Sequence, residues 1–209
     1  MLKEHFLDRF HRNERVITLS DGVFSIVLTL LVLELRVPKM SPDIGAAEMW
    51  HALIGIKAKL ISFLLSFLFV ASLWFSHNQL FKLFDKVDNT MLWFNIFLLL
   101  VVCFIPFPTA LIGEYPENPV GIFLFGTIWV LIPLIIYLIG SRAYHKRYLH
   151  YSVDIKRYMF LRKMAILYAP ISAIPMIFCW TMPKTAISFY LLQMLVSIIA
   201  GFTVKVIDD

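Results

Sequence analysis

Polar side chains interrupt two of the most apolar stretches of this sequence, and their residue types could support chemistry. Ser20 and Asp21 lie side by side in RVITLSDGVFSIVLTLLVLEL, residues 15–35. A later stretch, SLWFSHNQLF, contributes Trp74 and His77. If these groups meet in the fold, they could form a hydrogen-bonded network, a proton relay or part of a metal site. One His with one Asp offers too few ligands for a metal centre, so a satisfied structural network is the favoured interpretation.

The composition indicates an integral membrane protein. Hydrophobic residues make up 60% of the 209 residues and charged residues 16%, and the mean hydropathy is +0.79. A soluble protein of this size needs many more polar residues to cover its surface. The net charge of +5 is therefore no sign of a nucleic-acid partner, because basic residues of membrane proteins concentrate in cytoplasmic loops. The expected surroundings are a lipid bilayer.

The apolar segments predict an all-α fold with six transmembrane helices. A span needs about 20 mainly apolar residues to cross roughly 30 Å of hydrocarbon. The sequence predicts a single six-span domain over residues 1–209, with residues 1–14 as a charged cytoplasmic lead-in. The spans are expected at roughly 15–36, 58–80, 90–112, 120–140, 161–180 and 185–206.

The distribution of basic residues predicts that both termini are cytoplasmic in a multi-pass protein of the cell membrane. With a cytoplasmic N-terminus, the inner segments hold 14 of the 19 Lys and Arg residues, and seven of these lie in residues 141–163. Residues 141–160 are predicted to be a basic interfacial segment. Its alternation of Tyr with basic residues suits a helix lying at anionic headgroups, although topology alone also explains the charge.

The length of the first apolar run places Asp21 inside a helix. If Ser20 and Asp21 were an N-cap, the 14 residues from Gly22 to Leu35 would extend only about 21 Å, too short to cross the hydrocarbon. A helix that begins near Asn13 or Arg15 is long enough. Ionisable groups within a span usually face protein or water rather than lipid, so Asp21 is a candidate for a functional site or a buried network.

Helical periodicity divides this first helix into two faces. At about 100° per residue, Asp21 and Phe24 lie on one side and Ser20 leans toward them, while Thr29 flanks the opposite stripe. Such an apolar stripe is most often a packing or lipid-facing surface, so periodicity alone does not identify a pore. The stripe consists of Arg15, Leu19, Gly22, Ile26, Leu30 and Leu33.

These residues resemble the first helix of bacterial members of the transmembrane protein 175 family of potassium channels. That family carries an Arg, three variable residues and then Phe-Ser-Asp. Arg15, Leu19, Ser20 and Asp21 hold the corresponding positions here, with Leu in place of Phe. The resemblance continues through SLWFSHNQLF, VDNTMLWFNIFLLL and PFPTALIGEY, and so covers roughly the first 115 residues.

The resemblance implies a potassium-selective channel with potassium as the permeant ion and with no cofactor. First helices from several subunits would surround a central pore, with Ile26, Leu30 and Leu33 as the apolar constriction that serves as gate and filter. Thr29 flanks this constriction. The absence of a TVGYG-like loop agrees with a pore that lacks a carbonyl filter. One subunit supplies one such helix, so a cyclic homo-oligomer is the simplest assembly, and the resemblance suggests a homotetramer.

Two other classes of protein are weighed against a channel. A secondary, proton-coupled cation transporter would use Asp21 and His77. No span looks broken at mid-membrane in matching halves, as such carriers often show. A membrane enzyme is disfavoured because the spans contain no HExxH, GxSxG or paired-carboxylate arrangement.

Overall fold

The protein is all-helical in a computed structural model, which describes residues 2–203 and the side chains of residues 13–198 apart from residue 157. Helix α1 is followed by a 3-10 turn, Leu31–Glu34. The helices are α1 (Leu2–Leu30), α2 (Ala46–Gly55), α3 (Lys57–Lys82), α4 (Asn89–Phe104), α5 (Pro106–Glu114), α6 (Pro119–His145), α7 (Ile155–Phe178) and α8 (Pro183–Thr203).

Five helical segments within the described chain are long and apolar enough to cross a membrane. They fall on the first five predicted spans, so the all-α membrane architecture is confirmed. The sixth predicted span coincides with α8, which is not among the five, and the count of six spans stays a prediction. The five segments are Asn13–Glu34, Lys57–Lys82, Asn89–Glu114, Pro119–His145 and Tyr158–Phe178.

Helix α1 passes through Ser20 and Asp21 without interruption, as the length argument predicts. Ser20 donates its hydroxyl hydrogen to the Val16 carbonyl oxygen at 2.8 Å, a bond that leaves the helix intact. The backbone of the lead-in is helical from Leu2 onward. The predicted cytoplasmic position of residues 1–14 stays a prediction.

The third span consists of two helices, α4 and α5, which meet at Ile105. Pro106 and Pro108 lack backbone N–H groups and therefore cannot donate the helical hydrogen bonds that would continue α4. Thr109 donates to the Ile105 carbonyl oxygen at 2.8 Å, and its hydroxyl is also 2.7 Å from that of Ser66 on α3. A buried polar pair thus joins α5 to α3 just beyond the bend.

The basic segment 141–160 has a mixed backbone, and its position at the membrane interface stays a prediction. It comprises the end of α6, a non-helical connection and the start of α7. Backbone bonds fasten this connection to the turn after α3: Asp85 donates to Tyr148, and His150 donates to Leu83, both at 2.8 Å. These long-range bonds decide the path of the connection.

Aromatic packing joins α3, α6 and α8 in the C-terminal half. The rings of Phe69 and Trp129 stack with centroids 4.2 Å apart. The Tyr190 ring also stacks with Trp129, with centroids 5.7 Å apart. Gly126 permits this close approach, because a Cβ there would overlap the Tyr190 hydroxyl and lie 2.5 Å from Met176 Cγ. The core is therefore formed mainly between helices rather than within any one of them.

Asp88 connects the start of α4 to the end of α6. Its Oδ1 accepts the Met91 backbone N–H at 2.9 Å, which caps α4. Its Oδ2 accepts from both Nε and Nη2 of Arg142, each at 2.8 Å. Burial opposes the charged carboxylate, but the hydrogen bonds from Met91 and Arg142 outweigh burial and hold the pKa of Asp88 below its ordinary value.

Replacing Asp88 by Ala removes both the cap and the ion pair, and we expect the free energy of unfolding to fall by about 0.5–2 kcal/mol. Asp88→Asn keeps a cap acceptor without the charge and should lose less. Because the folded-state pKa is lowered, the contribution is complete above the ordinary pKa and is lost as pH falls through the folded value. Thermal unfolding in detergent measures this, and an Asp88→Ala melting temperature equal to that of the wild type would contradict the assignment.

Candidate functional site

Helix α1 has one buried face and one exposed face within a single protomer. The buried face packs against α3 and α4. Spacings of three and four residues keep its members on one side of the helix. They are Val16, Ser20, Phe24 and Val27, and Leu31 of the following 3-10 turn continues the same face.

The opposite face is the stripe that the sequence predicts, and its apolar portion is called the α1 ridge: Leu19, Gly22, Ile26, Leu30 and Leu33. Its four large side chains are between 44% and 65% exposed. A Cβ at Gly22 would meet no atom within 4 Å. Arg15 is exposed at the start of the same face. The fold of one protomer therefore leaves this ridge uncovered along the whole first span.

Thr29 is exposed beside the ridge, and its hydroxyl donates to the Ile26 carbonyl oxygen at 2.8 Å. This bond within the helix is the ordinary structural role of a Thr in a membrane helix. The oxygen keeps lone pairs that point away from the bond, so the residue could also offer a hydroxyl oxygen at the exposed face.

Asp21 is fastened to α3 by two hydrogen bonds to one carboxylate oxygen. Its Oδ1 accepts from Trp74 Nε1 at 2.8 Å and from Asn78 Nδ2 at 3.1 Å. Asp21 is only partly exposed. A carboxylate within a span requires such donors, and here they come from the protomer's own second span.

Ser20 and His77 are joined through a third residue, Asn95 of α4. Asn95 Nδ2 donates to Ser20 Oγ at 3.0 Å, and its Oδ1 lies 2.8 Å from His77 Nε2. All three residues are buried. Since the amide oxygen is an acceptor, His77 donates from Nε2, and Nδ1 is left buried without a partner.

The predicted cluster of Ser20, Asp21, Trp74 and His77 is thus two adjacent hydrogen-bonded groups. Trp74 contacts Asp21, and Asn95 bridges Ser20 to His77. No hydrogen bond joins the Asp21 and His77 side chains among the residues that the structure describes. The His77 ring instead stacks on Phe81, with centroids 4.4 Å apart.

Asn95 is the residue of this site that sequence reasoning missed. A signal was present, because it is a lone amide in the apolar run MLWFNIFLLL. An unpaired amide is costly in hydrocarbon, so such a residue calls for a partner on a neighbouring helix. Asn13 was also missed: its Nδ2 donates to the carbonyl oxygens of Phe81 and Phe84 at 3.3 and 3.0 Å, which ties α1 to the end of α3.

The fold and the site together define a class: an all-helical membrane protein whose first span is held to its own subunit by a polar network. The opposite side of that span is an uncovered apolar ridge.

A family model described as the endosomal/lysosomal potassium channel TMEM175 matches residues 15–106. Residues 15–106 are therefore similar to the transmembrane protein 175 family, and the resemblance drawn from the first helix is confirmed. The matched segment runs from Arg15 to the bend between α4 and α5, and so contains the whole polar network and the α1 ridge.

Bacterial relatives of this segment are named potassium channels. One from Streptomyces collinus is 39% identical over 101 residues, or 48% of each chain. One from Chamaesiphon minutus is 35% identical over 126 residues, or 58% of this chain and 61% of the relative. The chain therefore spans about half to three fifths of the length of these relatives. A human relative, 28% identical over 133 residues (64% of this chain, 26% of that one), is named an endosomal/lysosomal proton channel. These relatives are named as channels rather than enzymes.

A solved structure shows the same fold. The crystal structure titled a lysosomal potassium-selective channel TMEM175 homolog, from Chamaesiphon minutus, superposes with a TM-score of 0.80. The match covers 91% of this chain and 98% of that one, at 23% sequence identity. The likeness extends well beyond residue 106, so α6 and α7 follow the same architecture even where the sequences have diverged.

Replacing Asp21 by Ala leaves the Trp74 indole and the Asn78 amide without their acceptor. We expect a loss of about 1–2 kcal/mol in the free energy of unfolding and a lower yield of assembled protein. Asp21→Asn is the matched control, because its amide oxygen can still accept both bonds. Size-exclusion chromatography and thermal unfolding in detergent provide the measurement. An unchanged melting temperature and elution profile in Asp21→Ala would contradict this assignment.

Proposed function

We propose that the chain is a potassium channel whose central pore is lined by the α1 ridges of several subunits. The carrying observation is the exposure of Leu19, Ile26, Leu30 and Leu33 on a helix whose opposite face is fastened inside the protomer. The names of the bacterial relatives support the choice of potassium. A ridge shared around an axis would give these exposed side chains a common function.

The ridge would act as gate and filter. A ring of Ile and Leu side chains narrows the path and repels water, so closure can work by dewetting. Potassium gives up water more readily than sodium, and a narrow apolar ring that admits a partly dehydrated ion would favour it modestly. Ile26, Leu30 and Leu33 are the proposed constriction, and Thr29 offers a hydroxyl beside it. Selectivity weaker than that of a carbonyl filter is expected.

The assembly and topology belong to the same proposal. One protomer carries one α1 ridge, so a closed pore requires several copies, and a cyclic homotetramer is proposed. Six spans per subunit, with α8 as the sixth, would place both termini in the cytoplasm of a multi-pass protein in the cell membrane. The excess of Lys and Arg at the α6–α7 connection supports that orientation.

Proton transport is the second candidate function. Relatives from human and chicken are named proton channels, and Asp21 and His77 are titratable groups within the spans. A proton-coupled carrier would need these two groups to exchange a proton. The missing hydrogen bond between them in the described structure favours the channel, in which both serve the network.

Purified protein in planar lipid bilayers should show a reversal potential set by potassium. With potassium on one side and sodium on the other, each tenfold preference corresponds to about 59 mV. We expect a clear shift toward the potassium potential with no requirement for a pH gradient. Flux that depends strictly on a proton gradient would support the carrier instead, and a reversal potential that follows pH alone would support a proton channel.

Placing an amide in the proposed constriction should open it to water. Ile26→Asn is expected to raise single-channel conductance and to move the potassium/sodium reversal potential toward zero, because the polar ring no longer dewets. Val32→Asn is the matched control, since Val32 is 50% exposed on the same span but lies about 120° from the ridge. Equal effects of the two variants, or no effect of Ile26→Asn, would place the constriction elsewhere.

A further inference from the structure

Arg162 of α7 has a guanidinium group that is buried in part and unpaired. Its Nε and Nη1 atoms are buried and have no hydrogen-bond partner. The guanidinium carbon lies 4.8 Å from the centre of the Tyr144 ring and 5.8 Å from that of Tyr137, both on α6. The two rings stabilise a cation at this position, but they do not accept all of its N–H groups.

The described carboxylates at the α6–α7 connection and at the turn it contacts are engaged with other groups. Asp88 accepts from Arg142, Asp85 lies 3.9 Å from His150, and Asp154 accepts the backbone N–H of Lys156. Among the described residues, no carboxylate lies within ion-pair distance of Arg162. A guanidinium that is buried without an anion is costly, so its surroundings indicate a missing negative charge.

The position of Arg162 along its span indicates the chemical class of the anion that would bind it. Arg162 lies one turn inside the fifth candidate span, which begins at Tyr158. The exposed basic residues of the α6–α7 connection lie beyond Arg162 at the near end of the span, and they include Lys146 and Lys156. Deeper along the same two helices, the exposed side chains are apolar, including Leu134 and Ile166. This order of positive charge followed by hydrocarbon matches an anionic headgroup attached to acyl chains.

We propose that Arg162, within the cage of Tyr137 and Tyr144, binds the phosphate of an anionic phospholipid at the α6–α7 end of the protein. A guanidinium suits a phosphate, to which it donates charge-assisted hydrogen bonds. Acyl chains of the lipid would lie along the exposed apolar residues of α6 and α7. The site is separate from the α1 ridge and does not depend on potassium conduction.

Native mass spectrometry of the detergent-purified full chain, titrated with phosphatidylglycerol or phosphatidylcholine, tests the site. We expect Arg162→Gln to weaken phosphatidylglycerol binding by about 10- to 100-fold, the range for lost hydrogen bonds to a charged group. Lys163→Gln is the matched control, with the same charge change at an exposed neighbour. It should weaken binding by about fivefold or less, as for diffuse attraction. Phosphatidylcholine has no net charge because its choline cation balances the phosphate, so its binding should be weaker and should change less in Arg162→Gln than phosphatidylglycerol binding does.

Three results would overturn the proposal. The first is full phosphatidylglycerol affinity in Arg162→Gln, and the second is an equal loss in Lys163→Gln, which would indicate diffuse attraction only. The third is displacement of phosphatidylglycerol by millimolar inorganic phosphate, which would indicate a site for a soluble anion. If Arg162→Gln does not fold, Arg162→Lys replaces it, because it keeps the charge without the planar fork. It must weaken binding more than Lys163→Gln does.

Discussion

The rotation of the first span about its own axis depends on the need to satisfy one carboxylate within the membrane. Asp21 cannot face hydrocarbon without a large cost, and its donors, Trp74 and Asn78, are both on α3. Fixing one residue of a helix fixes the direction of every other residue at 100° intervals. The exposed position of Ile26, Leu30 and Leu33 is therefore a geometric consequence of where Asp21 is held.

A second set of buried polar groups fixes the position of α1 along its own axis and connects it to α4 as well as to α3. Asn95 bonds to Ser20 and lies within hydrogen-bond distance of His77, so a single amide connects α1, α3 and α4. Each of these bonds is worth little on average in a membrane. Their value lies in specificity, because a shift of α1 by one residue would leave several buried groups unpaired at once. The Asn13 contacts with the carbonyl groups at the end of α3 oppose the same shift.

Much of this arrangement could be predicted from the sequence, and the reasons differ from element to element. The continuity of α1 through Asp21 followed from the length needed to cross a bilayer, and its two faces followed from the helical period. Asn95 was missed because periodicity describes one helix, whereas its partners lie on two others. The path of the α6–α7 connection could not be predicted, because backbone bonds to Leu83 and Asp85 decide it. Helix α2 was missed because it is short and has no buried residues, so no length or burial requirement indicated it.

Function, too, could be predicted only as far as one helix determines it. The apolar ridge was identifiable as a stripe, but a stripe that faces lipid and one that faces a pore have identical periodicity. Only the position of neighbouring copies distinguishes the two, and a single protomer does not contain that information. An electron cryomicroscopy map of the full chain in lipid nanodiscs provides it. Our account predicts symmetry-related copies with Ile26, Leu30 and Leu33 directed at a shared axial conduit and Asp21 enclosed behind them. A map in which lipid covers this ridge, with no conduit beside it, would contradict the account.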